Sequence, residues 1–132
     1  MKTPIDNSYI GITTPHFREA AEFYLHYFGY SLVKDTEDFV SIISPNEKRC
    51  IGFSRSTDSD AITSLKGINL TFLVEDAETA LADFQKSGIK ITKSINTGSW
   101  GARHFIVTDP SGMDVYISER AQQAEQDAAA NP

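Results

Sequence analysis

Cysteine is almost missing: Cys50 is the only one among 132 residues. With one thiol no disulfide can close within the chain, and a cysteine-built zinc site is excluded. Tryptophan is as scarce, with Trp100 alone. Apolar runs extend for only a few residues, too short to cross a membrane. The opening "MKTPIDNSY" has one lysine and no apolar stretch of the kind a secretory signal needs. Basic residues are in short supply too, with 12 Lys and Arg against 18 Asp and Glu and a net charge of −6. The longest basic cluster is Lys48-Arg49. Phosphate backbones need a basic patch, so nucleic acid is a poor partner. These absences predict a cytoplasmic chain without a membrane span. An acidic body also suits a cationic small molecule, although solubility alone accounts for it.

What is present is ordinary soluble composition, 40% hydrophobic and 23% charged. The length fits one domain over residues 1–132. Two amphipathic helices stand out. "PHFREAAEFYLHYFG" opens at Pro15 and stops at Gly29, with Phe17, Ala20, Ala21, Tyr24 and Phe28 at three- and four-residue steps. "EDAETALADFQKSG" has Asp76 as N-cap, Ala77, Leu81 and Phe84 as its stripe, and Gly88 as its stop. An alternating run precedes each helix, "SYIGITT" and "INLTFLVE". Three short strands follow each: "YSLVKD", "DFVSII" and "RCIGFS", then "IKITKS", "ARHFIVT" and "MDVYIS".

That order is βαβββ twice, an α+β class built by duplication. Setting Ile12 on Phe72 brings Ala20 onto Ala80 and Tyr24 onto Phe84, and "SPNE" falls near "DPSG". A repeat of roughly 60 residues in two copies is no solenoid. The expected layout is a first module at about 8–54, a polar connector at 55–67, a second module at about 68–118, and a tail at 119–132 without an apolar stripe.

The duplicated order, "EAAEFYLHYFGY" after the first strand and "WGARHFIVTDPSGMDVYI" near the end together resemble the vicinal oxygen chelate superfamily. That group holds glyoxalase I, extradiol dioxygenases, fosfomycin-resistance transferases and bleomycin-resistance proteins. The resemblance covers roughly residues 8 to 118. It implies curved mixed sheets around a cleft, helices on the outer face, and a homodimer. It does not settle the chemistry, because the fold hosts unrelated activities.

Strand parity selects the side chains that face away from the helices. Ile10 and Ile12 are expected to meet the first helix, leaving Tyr9, Gly11 and Thr13 on the other side. Ile68, Leu70, Phe72 and Val74 meet the second helix, leaving Asn69, Thr71 and Leu73. Val115 and Ile117 are core, as are Phe105 and Val107, so Asp114, Tyr116, Ser118, His104, Ile106 and Thr108 face the cleft. Cys50 is expected to pack on the helix side. Metal-binding relatives, by the resemblance, carry His or Gln on the first strand of each half and Glu on its last. The matching positions here are Tyr9, Gly52, Asn69 and Tyr116, which offer neither imidazole nor carboxylate. The expectation is therefore no metal and no cofactor. His16 and His26 are ten apart, do not stack as an i, i+4 pair would, and read as solvated surface histidines.

A cleft without ligands resembles the bleomycin-resistance type, which sequesters a drug without chemistry. Trp100-Gly101 occupies the place of a Trp-Gly pair there, and Phe39 sits near another aromatic of that cleft. The ligand-binding candidates are Tyr9, Phe39, Asn69, Trp100, His104 and Tyr116, whose flat and partly polar walls suit a small planar ligand, antibiotic or metabolite. Two enzymatic readings stand beside this one. One is a metal-free isomerase or lyase that moves protons with His104 and Tyr116. The other is a glyoxalase- or dioxygenase-like metalloenzyme with atypical ligands.

Overall fold

A sheet whose strands alternate apolar and polar residues needs cover on one face only, and each half of this chain supplies one helix to give it. The computed structural model describes residues 3–5, 7–57, 67–98 and 101–120. The elements run β1 (Ile10–Thr14), α1 (Phe17–Tyr27), β2 (Ser31–Asp35), β3 (Phe39–Ile43), β4 (Cys50–Arg55), β5 (Asn69–Val74), α2 (Ala77–Lys86), β6 (Lys93–Thr97), β7 (Arg103–Thr108) and β8 (Asp114–Glu119). The fold is α+β, with two four-stranded mixed sheets ordered β1-β4-β3-β2 and β5-β8-β7-β6. In each sheet the first strand of the module pairs in parallel with the last, and the remaining pairs are antiparallel. Most of the expected connector and nearly all of the tail lie outside the described residues. No helix among those described is long and apolar enough to cross a membrane.

Contacts divide the described residues into two compact units, the first being the chain up to Thr57 together with Asp109–Gly112. Its core is Ile12, Val40, Ile42, Ile51 and Phe53 on one sheet face under Phe17, Ala20, Ala21 and Tyr24 of α1. The Tyr24 ring stacks on Phe53 at 5.9 Å. In the second unit Phe105, Val107, Val115 and Ile117 are fully buried, and Phe84 of α2 meets Phe105 edge-on at 5.3 Å. Asp76 caps α2 as its sequence position predicts, accepting from the Thr79 amide at 3.0 Å.

The structure moves three expectations. The run Ile89–Ser94 is not the sixth strand; β6 is Lys93–Thr97. Ile89 is buried by packing, while the ladder with β7 runs from Lys93 to Thr97, beyond which the Gly98 amide donates to the Ala102 carbonyl at 3.0 Å. Ile10 and Ile68, expected in the core, are 51% and 56% exposed. They stand at the entrance to β1 and β5, strands with a neighbour on one side only. Cys50 is half-buried, and alternation along β4 puts it on the side of Gly52 and Ser54, opposite Ile51 and Phe53.

The turns that close the β3–β4 and β7–β8 hairpins repeat one design. Ser44-Pro45-Asn46-Glu47 and Asp109-Pro110-Ser111-Gly112 each close with an amide-to-carbonyl bond across the turn, at 2.8 and 2.9 Å. Each also ends on a positive φ, 59° at Glu47 and 92° at Gly112. In the second turn Asp109 is buried and accepts the Tyr24 hydroxyl at 2.6 Å and the Ser111 amide at 2.8 Å. Burial foremost, with the Asp109 charge, pushes the Tyr24 hydroxyl well above the usual phenol range. Tyr24→Phe keeps the ring and deletes the donor, so it should destabilise the chain by about 1–3 kcal/mol in urea unfolding at neutral pH. A loss under about 0.5 kcal/mol would mean that solvent replaces the hydroxyl.

Arg103 holds the second unit at the other end of its hairpin. Its Nε and Nη2 bind both oxygens of Glu119 at 2.9 and 2.6 Å, and Nη2 also reaches Asp76 at 3.1 Å. Glu78 adds a contact to Nη1 at 3.1 Å, and Glu119 accepts the Ala77 amide at 3.0 Å. The Arg103 hydrogen bond holds Glu119 below the usual carboxylate range, and the Thr79 hydrogen bonds do the same for Asp76. Lowered carboxylates stabilise the fold above their unfolded values near about 4, and that contribution is lost as pH falls through the folded values. Arg103→Gln should therefore lower the melting temperature at pH 7, with the gap to the parent chain closing in acid. A gap independent of pH would assign the effect to packing alone. The cluster is exposed enough that added salt should also narrow it.

Candidate functional site

The sheet faces turned away from α1 and α2 carry the candidates, and the two modules put them in matching places. Gly11 is the register partner of Gly52, and Thr71 is the partner of Tyr116. Tyr9 and Asn69 each stand two residues before those first-strand partners. Gly52 and Tyr116 are thus equivalent positions, and so are Tyr9 and Asn69. On the neighbouring strands Phe39 pairs with Ser54 and His104 with Ser118, which makes Phe39 and His104 equivalent as well.

In the second unit the structure brings His104 and Tyr116 together. They are diagonal neighbours across β7 and β8, with ring centroids 5.3 Å apart and planes inclined by 12°. His104 is 6% exposed, while Tyr116 is half-exposed. The histidine is therefore an inner member of a stack whose outer ring meets solvent. Asn69 is exposed on the edge strand, and its side-chain carbonyl accepts the Thr71 hydroxyl at 2.7 Å. Thr108 connects the ladder, sharing a hydrogen bond with Thr92 at 2.9 Å and donating to Asp114 at 3.3 Å. This face combines stacked rings with hydroxyl, carboxamide and carboxylate groups.

In the first unit Tyr9 and Phe39 converge over Gly52. A Cβ placed there would lie 2.9 Å from Phe39 Cε2 and 3.1 Å from Tyr9 Cε2. The sequence pattern named all three residues without showing this infill, because parity assigns a face and not the direction of a ring. The only hint is the pair of strand glycines, since glycine inside a strand marks close approach by something else. Trp100 lies outside the described residues. His16 and His26 are exposed on and beside α1; His16 pairs with Glu19 at 3.2 Å, and His26 meets the Tyr27 ring edge-on.

Residues 8–117 match the Glyoxalase/Bleomycin resistance protein/Dioxygenase superfamily. The chain belongs to this superfamily. None of the curated proteins matches it in sequence. Among solved structures, a virulence protein from Salmonella typhimurium is similar with a TM-score of 0.62 at 18% identity, covering 89% of this chain and 98% of its own. A bleomycin-binding protein complexed with bleomycin has a TM-score of 0.62 at 15% identity, with coverages of 88% and 99%. A lactoylglutathione lyase from Agrobacterium tumefaciens has 0.62 at 14%, with 92% and 98%. At such identities the likeness is one of fold.

Metal-binding members of the superfamily pose a direct test of donor chemistry. At the four matching positions this chain has a phenol, no side chain, a carboxamide and a phenol: Tyr9, Gly52, Asn69 and Tyr116. Divalent ions are held by imidazole, carboxylate or thiolate groups. The space over Gly52, where a ligand side chain would project, is filled by two aromatic rings. These residues do not fit the metal.

Proposed function

We propose that this superfamily member binds and sequesters a small planar organic molecule, antibiotic or metabolite, without converting it. The observation that carries this reading is the aromatic character of both equivalent positions: His104 stacked on Tyr116, and Phe39 with Tyr9 over Gly52. Flat rings beside a few hydrogen-bonding groups are the ordinary composition of a site for a planar ligand. The bleomycin-binding protein among similar structures supports small-molecule binding as a use of this fold. Trp100 belongs to the ligand site on this reading, as do Asn69, His104 and Tyr116, and the working form is a homodimer. Light scattering should accordingly give about twice the chain mass of 14.6 kDa; a monomer that still binds ligand would remove the dimer from the proposal.

One specific observation favours a second reading, a metal-free isomerase or lyase. His104 is a sequestered imidazole next to a phenol, the pair that proton transfer would use. One set of variants separates the two. A thermal-shift screen of planar natural products supplies the ligand, and Trp100, the only tryptophan, reports its entry by fluorescence. Trp100→Ala should weaken binding by about 1–3 kcal/mol. For a sequestering protein His104→Ala should weaken it by about 0.5–1.5 kcal/mol, the loss of one hydrogen bond. For an acid–base enzyme the same change should leave binding and remove turnover by about 100-fold. Affinity and fluorescence response untouched by Trp100→Ala would overturn the placement of the ligand.

A further inference from the structure

Glycine in a strand forfeits packing and loses more conformational freedom on folding than any other residue. Here two glycines are direct register partners on adjacent strands, Gly11 on β1 and Gly52 on β4. Side by side they leave bare backbone on the open face of the first sheet. A Cβ on Gly52 would stand 2.9 Å from Phe39 Cε2 and Cζ, and 3.1 Å from Tyr9 Cε2. A Cβ on Gly11 would have only Tyr9 Cε2 near it, at 4.0 Å. One edge of the Tyr9 ring therefore lies over both glycines. Yet Tyr9 is 66% exposed and precedes the first residue of β1. Phe39, in contrast, is a half-buried member of β3. The neighbours on this face are Thr13, Ser41, Ile43, Cys50 and Ser54, with Lys34 further out on β2.

We propose that Gly11 and Gly52 are the floor of a subsite for one uncharged aromatic ring, and that Tyr9 occupies that floor when no ligand is present. This rests on the small-molecule-binding reading above and names the part of the ligand that the first module takes. A flat ring can lie on peptide planes at van der Waals distance only where no Cβ intervenes. Gly11, with the side of Gly52 that meets Tyr9, provides that floor, Phe39 covers the rest of Gly52 as the wall, and the nearest polar groups are hydroxyls and the Cys50 thiol. Tyr9 is a phenol ring already resting there, held by a segment outside the ladder. A ligand ring has to displace it. Tyr9 thus lowers the apparent affinity in proportion to the time it spends in place, and its removal should tighten binding where loss of an ordinary contact would weaken it.

The test uses N-phenyl-1-naphthylamine, a neutral fused-ring probe whose emission rises in apolar surroundings. It is titrated into the full chain, Tyr9→Ala, Gly11→Val and the double variant. Tyr9→Ala should tighten the probe Kd by about tenfold, the effect of freeing a floor that is otherwise occupied about nine-tenths of the time. Gly11→Val, alone or with Tyr9→Ala, should weaken it by at least about tenfold, because a branched side chain then covers the floor. Valine is favoured in strands, and at this position its Cβ meets nothing but the Tyr9 ring; circular dichroism checks that the fold is kept. Unchanged or weaker binding by Tyr9→Ala overturns the proposal, as does unchanged binding after Gly11→Val or no probe binding to Tyr9→Ala. Failure of the broader reading looks different: no planar compound would shift the Trp100 emission, while Tyr9→Ala still gained the probe.

Discussion

The hydrogen bond from the Tyr24 hydroxyl to the Asp109 carboxylate, between residues 85 apart in sequence, is the contact on which the local order of the final hairpin rests. A carboxylate withdrawn from water has to be met by donors. Asp109 is met by Tyr24 and by the amide and hydroxyl of Ser111. Those bonds, with Pro110 and the positive φ of Gly112, define where the turn ends. The strand that leaves it has its side chains allotted from that point: Met113, Val115 and Ile117 inward, Asp114 and Tyr116 outward. A slip of one residue would exchange the faces, burying Tyr116 and exposing Val115. The position of Tyr116 beside His104 thus depends on a turn whose own geometry is fixed by the tyrosine of α1.

Much of this was legible in the sequence because period and punctuation are local properties. Both helices, the Asp76 cap and seven of the eight strands follow from apolar spacing and from glycine, proline and aspartate at the ends. The pairing of His104 with Tyr116 was legible too, since the turn fixes the register and the register fixes the diagonal. Most of the errors have one physical source, that alternation describes a strand and not what covers it. Ile10 and Ile68 have core character but stand at the entrances of edge strands. At Ile89 and Ile91 the alternation marks packing just before the ladder begins. The helix-side expectation for Cys50 misreads the parity of β4, where Cys50 shares the face of Gly52 and not that of Ile51 and Phe53. The Arg103 cluster was not legible, because its carboxylates come from α2 and β8 and meet only once both are folded.

The two modules share a register and differ in what they place on it. The second keeps a side chain at the last-strand position, Tyr116, and lays the His104 ring against it. The first has no side chain at the equivalent Gly52, and the rings of Phe39 and Tyr9 occupy the room. The substitution of Phe39 for His104, in equivalent positions, follows the same logic. A ring over bare backbone gains by being apolar, whereas a ring over a phenol beside Ser118 and Thr108 can be an imidazole.

This makes absence of a ligand side chain and presence of the aromatic infill a single structural feature. Any residue other than glycine at position 52 would bring its Cβ to 2.9 Å from the Phe39 ring, closer than carbon atoms tolerate. A carboxylate at that position would require the Phe39 and Tyr9 rings to shift from where they lie. The second module is under no such constraint, since Tyr116 already carries a Cβ and a large side chain there. At its two matching positions it has the carboxamide of Asn69 and the phenol of Tyr116. The two halves thus differ in what stands at their equivalent positions, rings over bare backbone in the first and an imidazole stacked on a phenol in the second, and both present aromatic surface there.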